Sequence, residues 1–322
     1  MRRKIRKLLS LIIILLIVFL SYMAIFNPDE LEVIFSNVSI RIFNKNVFID
    51  ENEQLNDYSI INSKESKNKD YTYSIMYPYY ELLDDNKKSI YTLMLEFIYK
   101  QRDELDLSSF NIDKDDLRII FESILNDNPE IFWLDSKYSY TYLVETKKIS
   151  VVKFTYLFNE EETKSIRIKI EEEVNKIIDK VKDKKLDYEK EKVVHDELIK
   201  LIEYDESVSD DQTLYGALIN KKAVCAGYVK SFQYIMMKLG IPTYYISGYA
   251  DEDHAWNLVE LEDGFYNVDL TWDDQADRII YKYFNVSDEL ISKDHKRMDL
   301  SKKIIEAEGS KYANIYSTLK KD

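Results

Sequence analysis

Leu8 to Phe26 reads LLSLIIILLIVFLSYMAIF, 19 residues without a charge. At about 1.5 Å of rise per residue, a helix of that length crosses a hydrocarbon core of about 30 Å. The run predicts a transmembrane helix. The seven residues before it, MRRKIRK, carry five basic side chains and no acid, so the positive-inside rule keeps them in the cytoplasm and places everything after Asn27 outside. A cleaved signal peptide shares the basic start and the apolar run. The small residues of a cleavage site are missing, however, since Tyr22 and Phe26 crowd the only alanine, Ala24. The expectation is an uncleaved, single-pass signal anchor with its N-terminus in the cytoplasm. No lipobox cysteine follows, which excludes a lipoprotein.

Charge follows the same division. The whole chain of 322 residues has 45 basic and 59 acidic side chains, a net charge of −14. With the cytoplasmic +5 set apart, the rest carries 40 basic against 59 acidic residues, or −19. That balance argues against a nucleic-acid partner, because neutralising phosphates needs a basic face. Hydrophobic residues make up 45% of the chain and aromatic ones 13%, with only 6 Gly and 4 Pro. Such a chain can bury a sizeable core, which rules out a disordered, collagen-like or linker-dominated protein. The single cysteine, Cys225, forbids an internal disulfide and the Cys-rich zinc modules, and three histidines leave few transition-metal ligands. No cofactor and no metal are expected.

Residues 31–49 alternate apolar and polar in short bursts and predict a strand pair. Residues 50–70 are polar and without periodicity, and read as a tether. From Glu81 to about Gln101 the apolar residues Leu82, Leu83, Ile90, Leu93, Met94, Phe97 and Ile98 recur at helical spacing. Asp113 is a candidate N-cap for a second helix that ends before Pro129. Lys137 to Val144 and Ile149 to Leu157 predict a hairpin turning at Glu145 to Lys148. Glu160 to Lys182 and Tyr188 to Tyr204 predict amphipathic helices. Val224 to Leu239 predicts a helix with Val229, Phe232, Met236 and Leu239 as its buried stripe, stopped by Gly240 and Pro242. Strands are expected at Thr243 to Ser247, Ala255 to Leu261 and Phe265 to Leu270, the last two joined at Asp263-Gly264. Helix followed by antiparallel strands makes the fold class α+β.

Cys225 stands where the Val224 to Leu239 helix begins. A thiol in a first turn faces unpaired backbone N–H groups and the positive end of the helix dipole, which favour thiolate and can also receive an oxyanion. The plain alternative is that a lone cysteine is a small buried hydrophobe. Its downstream context favours chemistry. His254 opens the strand HAWNLVEL and Asp269 sits in the next, FYNVDLTW. For a tight turn at Asp263-Gly264, even positions of the first strand oppose odd positions of the second, so His254 and Asp269 share a face. Direct contact needs a register offset by a pair or two from the simplest two-residue turn. A thiolate, an imidazole to hold it and move protons, and a carboxylate to fix the imidazole tautomer form the triad arrangement of acyl transfer.

Lys221 to Asp274 resembles the core of the transglutaminase-like superfamily, thiol enzymes with a papain-type catalytic plan. Three blocks appear in order: Val224 to Tyr228 as V-C-x-G-Y, Gly240 to Pro242 with His254 to Asn257 as H-A-W-N, and Tyr266 to Trp272 as Y-x-V-D-x-T-W. The resemblance extends through Asp127 to Trp133, His195-Asp196, Tyr204-Asp205, Tyr215 to Ala217, Phe284 to Ser287 and Asp294-His295. It is closest to a bacterial, membrane-anchored branch and covers roughly Tyr71 to His295. It implies Cys225 as nucleophile, His254 as general base and acid, and Asp269 as the orienting carboxylate. It also implies a nucleophile helix packed on antiparallel strands. The expected organisation is a basic tail (1–7), an anchor (8–26), a stalk with short strands (27–70), a helical and β-hairpin region (71–205), the transglutaminase-like core (206–300) and a C-terminal tail (301–322).

Tyr215 is a candidate second oxyanion donor, with packing as its alternative role. Trp256, two residues after His254 on the same face, either walls the site or is a core tryptophan. His195 reads as a structural helix residue, and His295 as capping or pairing locally with Asp294. The acidic set Asp269, Asp273, Asp274 and Asp277 lacks EF-hand spacing and reads as a solvated loop rather than a Ca²⁺ site.

Two functions fit. One is an extracytoplasmic cysteine enzyme that forms a thioester from a peptide-type amide and passes it to an amine, as a transglutaminase, or to water, as a protease or amidase. The other is a non-catalytic module that binds peptides or cell-surface polymer in the same groove. The complete triad favours the enzyme. Its expected partners are a peptide or protein substrate at the cell surface and the membrane, through the N-terminal helix. At −19, the exported part suits basic or neutral peptide segments, a preference that salt screens beyond about 10 Å at 0.1 M.

Overall fold

The computed structural model describes residues 76–275 and 278–313. The anchor, the 27–70 stalk with its strand pair, Asp277 and residues 314–322 lie outside the described residues. No helix among the described residues is long and apolar enough to cross a membrane.

The first layer is helical with a small sheet. Helix α1 (Pro78–Glu81) precedes α2 (Asp85–Tyr99). The single helix expected from Glu81 is therefore broken. Asp84 restarts it as an N-cap, accepting from the Lys87 N–H at 2.9 Å. Strand β1 (Glu104–Asp106) leads to α3 (Lys114–Asp127), where Asp113 caps the expected helix in a reciprocal capping box with Asp116. Leu117, Ile120, Phe121 and Ile124 form its buried stripe. Strands β2 (Leu134–Leu143) and β3 (Lys148–Tyr156) make the hairpin and join β1 in the order β1-β3-β2.

Two longer helices, α4 (Glu160–Asp179) and α5 (Asp187–Leu201), follow. Short β4 (Glu203–Tyr204) pairs in parallel with β5 (Lys222–Ala223), on either side of a π-helical turn at Gly216–Asn220. This pairing takes Tyr204 out of the helix that the sequence pattern extended to it. Helix α6 (Cys225–Lys238) comes next.

Strands β6 (Thr243–Ala250), β7 (Glu252–Leu261) and β8 (Gly264–Val268) form an antiparallel meander. The turn Glu262-Asp263 sets a register pairing Leu261 with Gly264 and Leu258 with Asn267. The third strand was expected to run to Leu270. It stops at Val268 because Asp269 N-caps a one-turn helix, α7 (Leu270–Asp273), accepting from the Thr271 and Trp272 N–H groups. The small ladder of β9 (Asp274–Gln275) and β10 (Arg278–Ile279), helix α8 (Asp288–Ile291) and β11 (Lys296–Arg297) complete the order, and β11 adds to the sheet as β11-β6-β7-β8.

Strand β7 is buried on both faces. Val259 and Leu261 join the main core with Tyr228, Phe232 and Ile235 of α6, while Trp256 and Leu258 face a second cluster with Ile291, Leu300 and Ile304. The main core runs from Leu83 to Tyr312, so the helical region and the strand meander share one apolar interior. Residues 301–313, expected as a tail, are packed. Tyr312 stacks on Tyr188 at 4.6 Å between ring centroids, and its N–H donates to the Tyr266 hydroxyl at 3.0 Å. The mixed helix-and-strand class agrees with the α+β expectation.

Candidate active site

Cys225 is the first residue of α6 and is partly exposed. Val224, at the N-cap, has no side-chain acceptor and makes no cap hydrogen bond, so the first turn is left without the usual partner for its N–H groups. The turn is also tightly seated. A Cβ on Gly227 would lie 2.5 Å from the Ala223 Cβ and 2.7 Å from the Asp211 carbonyl oxygen. Only glycine lets the 210–213 loop and β5 approach the start of this helix so closely.

His254 lies opposite Gly248 of β6. Its Nε2 lies 2.8 Å from Oδ2 of Asp269, and the ring is close enough to Cys225 for the two to interact electrostatically. A carboxylate only accepts, so Nε2 carries a proton and Nδ1 is left for the thiol. In the simple extended register Trp256, not His254, would stand across from Asp269. The end of β8 resolves this, because the turn into α7 carries the carboxylate back toward the strand end. Burial alone would lower the pKa of His254. Asp269 and Cys225 together outweigh it and raise the group to about 10. Burial likewise works against an ionised Asp269, but the two histidines beside it hold its carboxyl below the ordinary range.

The second of those histidines is His295. Its Nε2 lies 3.0 Å from the same Oδ2 of Asp269, and its Nδ1 lies 2.7 Å from Oδ1 of Asp294. The sequence reading paired His295 only with its neighbour. Contact with a residue 26 positions away has no periodic signal, and it depends on β11 pairing with β6. His254, Asp269 and His295 place ligand-type atoms within 4.8 Å of one another. Those atoms are already matched as donors and acceptors, so the cluster is complete as a hydrogen-bond network.

The other candidates fall as follows. Tyr215 packs against Phe158 and Phe132 at 5.1 and 6.2 Å between ring centroids, the packing role. Trp256 is wholly buried, donates from Nε1 to Asn267 Oδ1 at 2.9 Å and lies 6.3 Å from the His254 ring. His195 is structural, as expected, but its partners were not foreseen. It is fully buried, with Nδ1 3.1 Å from Asp196 and Nε2 3.4 Å from Asp273. The solvated-loop reading of the acidic set is overturned. Asp269 and Asp273 are wholly buried, one on each side of α7, and Asp274 accepts from the Tyr228 hydroxyl at 2.7 Å. Sequence reasoning gave no site role to Tyr204 and Tyr245, both near enough to Cys225 to interact with it electrostatically.

Trp272 connects the cluster to open space. Its ring lies 4.5 Å from that of His295 and 5.8 Å from that of His254. Beyond it a pocket of about 430 Å³ is lined by Thr271, Trp272, Gln275, Ile280, Lys282 and Tyr283. The Thr271 hydroxyl is buried there with no partner among the described residues.

Residues 174–270 match the family model of the transglutaminase-like superfamily core. That stretch is a transglutaminase-like domain, reaching from α4 to the first residue of α7 and holding Cys225, His254 and Asp269. The solved structures that overlap part of this chain include the following three. A TGase is 14% identical over 52% of this chain and 50% of its own, at a TM-score of 0.31. A candidate cysteine protease from Cytophaga hutchinsonii is 12% identical over 42% of this chain and 61% of its own, at 0.29. Menin is 18% identical over 44% of this chain and 34% of its own, at 0.29. The chain thus spans less than two thirds of each. No curated protein matches.

Proposed function

We propose that the protein is a cysteine-dependent acyltransferase or amide hydrolase whose nucleophile is Cys225. One observation carries this reading: a partly exposed thiol at an uncapped helix start lies within electrostatic reach of a buried histidine whose Nε2 is held by a buried aspartate.

The chemistry follows from that geometry. The Cys225 sulfur, having passed its proton to Nδ1 of His254, attacks the carbonyl carbon of a peptide-type amide. A C–S bond forms, and the C=O electron pair moves to oxygen, within reach of the first-turn N–H groups of α6. As the oxyanion collapses the C–N bond breaks, and His254 gives its Nδ1 proton to the leaving amine. Asp269 keeps the Nε2 proton in place throughout. An amine or a water then attacks the thioester carbon and gives a proton to His254, and the C–S bond breaks. The first half is common to transglutamination and hydrolysis.

The chain's N-terminal sequence supports an extracytoplasmic, membrane-anchored placement for the enzyme, with peptide or protein substrates at the cell surface. The test of the activity is a glutamine-containing peptide assayed with and without a primary amine. Amine incorporation that Cys225→Ala abolishes supports a transglutaminase, and ammonia or peptide release without incorporation supports a hydrolase. Activity that survives Cys225→Ala would remove this site from the chemistry.

A further inference from the structure

We propose that His295 is a second positioning residue of this site. A relay of five side chains would run Cys225, His254, Asp269, His295 and Asp294, and this inference rests on the function proposed above. Asp269 is the hinge of the arrangement. Its Oδ1 accepts from the N–H groups of Thr271 and Trp272 at 3.0 and 3.2 Å, and its Oδ2 accepts from His254 and His295 at 2.8 and 3.0 Å. Four donors leave a buried carboxylate no freedom to rotate. Three of them come from its own turn and from the histidine it orients. His295 alone holds Oδ2 from outside.

The surroundings of His295 fit that task better than simple filling. Its ring is boxed by Trp272, Trp256, Tyr283 and His254 at 4.5, 5.1, 5.2 and 5.5 Å between centroids. A phenylalanine would fill such a box without the cost of desolvating two ring nitrogens. Both nitrogens instead face carboxylate oxygens. In a box poor in water those hydrogen bonds are strengthened. Asp294 is itself anchored, taking the Tyr283 hydroxyl at 2.7 Å and facing the Lys282 ammonium at 3.6 Å. Imidazole and carboxylate side chains therefore alternate from His254 to Asp294, which faces the surface Lys282.

The test compares His295→Gln, which keeps a donor near the Nε2 position, with His295→Phe, which keeps the aromatic packing and loses both ring nitrogens. The readout is the rate at which iodoacetamide labels the chain's single thiol at neutral pH, alongside kcat and KM on the peptide substrate. His295→Phe is expected to label and turn over about tenfold to a hundredfold more slowly at unchanged KM. His295→Gln is expected to recover most of that loss. A packing role predicts the reverse order, with Phe tolerated and Gln damaging, and that order overturns the proposal. If His295→Phe does not fold, Asp294→Asn decides. It is expected to slow labelling several-fold at an unchanged urea midpoint, and a wild-type rate overturns the proposal. Failure of the underlying function is separate, since it would appear as amide turnover that survives Cys225→Ala.

Discussion

Asp269 and His254 stand 15 residues apart in the chain, yet Oδ2 of one lies 2.8 Å from Nε2 of the other. The strand ladder does not place them opposite each other. The contact exists because β8 gives way to a helical turn at the residue whose carboxylate caps that turn. One side chain thus both ends the strand and orients the imidazole.

Asp269→Asn separates those two duties. Asparagine also caps helices, but its amide leaves Nε2 of His254 without an anionic acceptor and favours the wrong tautomer. Turnover is expected to fall by about 10² to 10⁴, with thiol labelling slowed in parallel, and urea unfolding serves as the control on folding. A variant that labels and turns over like the wild type would exclude Asp269 from the chemistry.

The pH dependence has a defined sign. His254 is raised in the folded protein to about 10 from an ordinary 6.5. The stability it contributes is fully present below 6.5 and is lost as pH climbs toward 10. The difference in urea midpoint between wild type and His254→Ala should therefore shrink steadily from neutral pH to pH 10, and activity should persist well above neutrality. A difference that stays flat over that window contradicts the assignment.

Gly248 supports the site from the next strand. A Cβ there would lie 2.4 Å from two ring atoms of Trp256 and 2.6 Å from the Lys296 carbonyl oxygen. Gly248→Ala is expected to cost about 1–3 kcal/mol by overpacking, read as a lower urea midpoint. It should also lower the labelling rate, because Gly248 is paired with His254 and the residue after it with Lys296. An unchanged midpoint would show that the tryptophan can move aside freely.

His195 offers a control outside the thiol chemistry. His195→Leu leaves the Asp273 carboxylate buried without its counter-charge, a loss of about 3–5 kcal/mol for a buried pair. The double variant His195→Leu with Asp273→Leu should recover part of it, and a double-mutant cycle measures the coupling. Purely additive losses would mean that the two groups do not interact.

Local signals in the sequence were sufficient for much of the scaffold. The Asp113 cap, the start of α6 at Cys225, and the β2-β3 and β7-β8 hairpins all follow from patterns a few residues long, whereas the turn that brings Asp269 to His254 does not. What escaped depends on contacts with no period. His295 reaches Asp269 only because β11 folds back onto β6. His195 meets Asp273 across 78 residues by the packing of α5 against α7. The cluster of aspartates looked solvated because charge in sequence suggests exposure, whereas here two of its members are neutralised by histidines that the chain brings from elsewhere. Tyr215 carried a hydroxyl that suggested chemistry, and its ring was claimed by Phe132 and Phe158.

Helix α7 is only four residues long, yet it is riveted at both ends. Asp269 fastens one end to the strand meander, and at the other Asp273 accepts from the Tyr283 N–H at 2.9 Å and faces His195 of α5 at 3.4 Å. A turn held this way has no independent route to open. Its amides should exchange with solvent only when the whole fold comes apart, which makes the histidine-bearing side of the site the last part of the molecule to lose its shape under heat or denaturant.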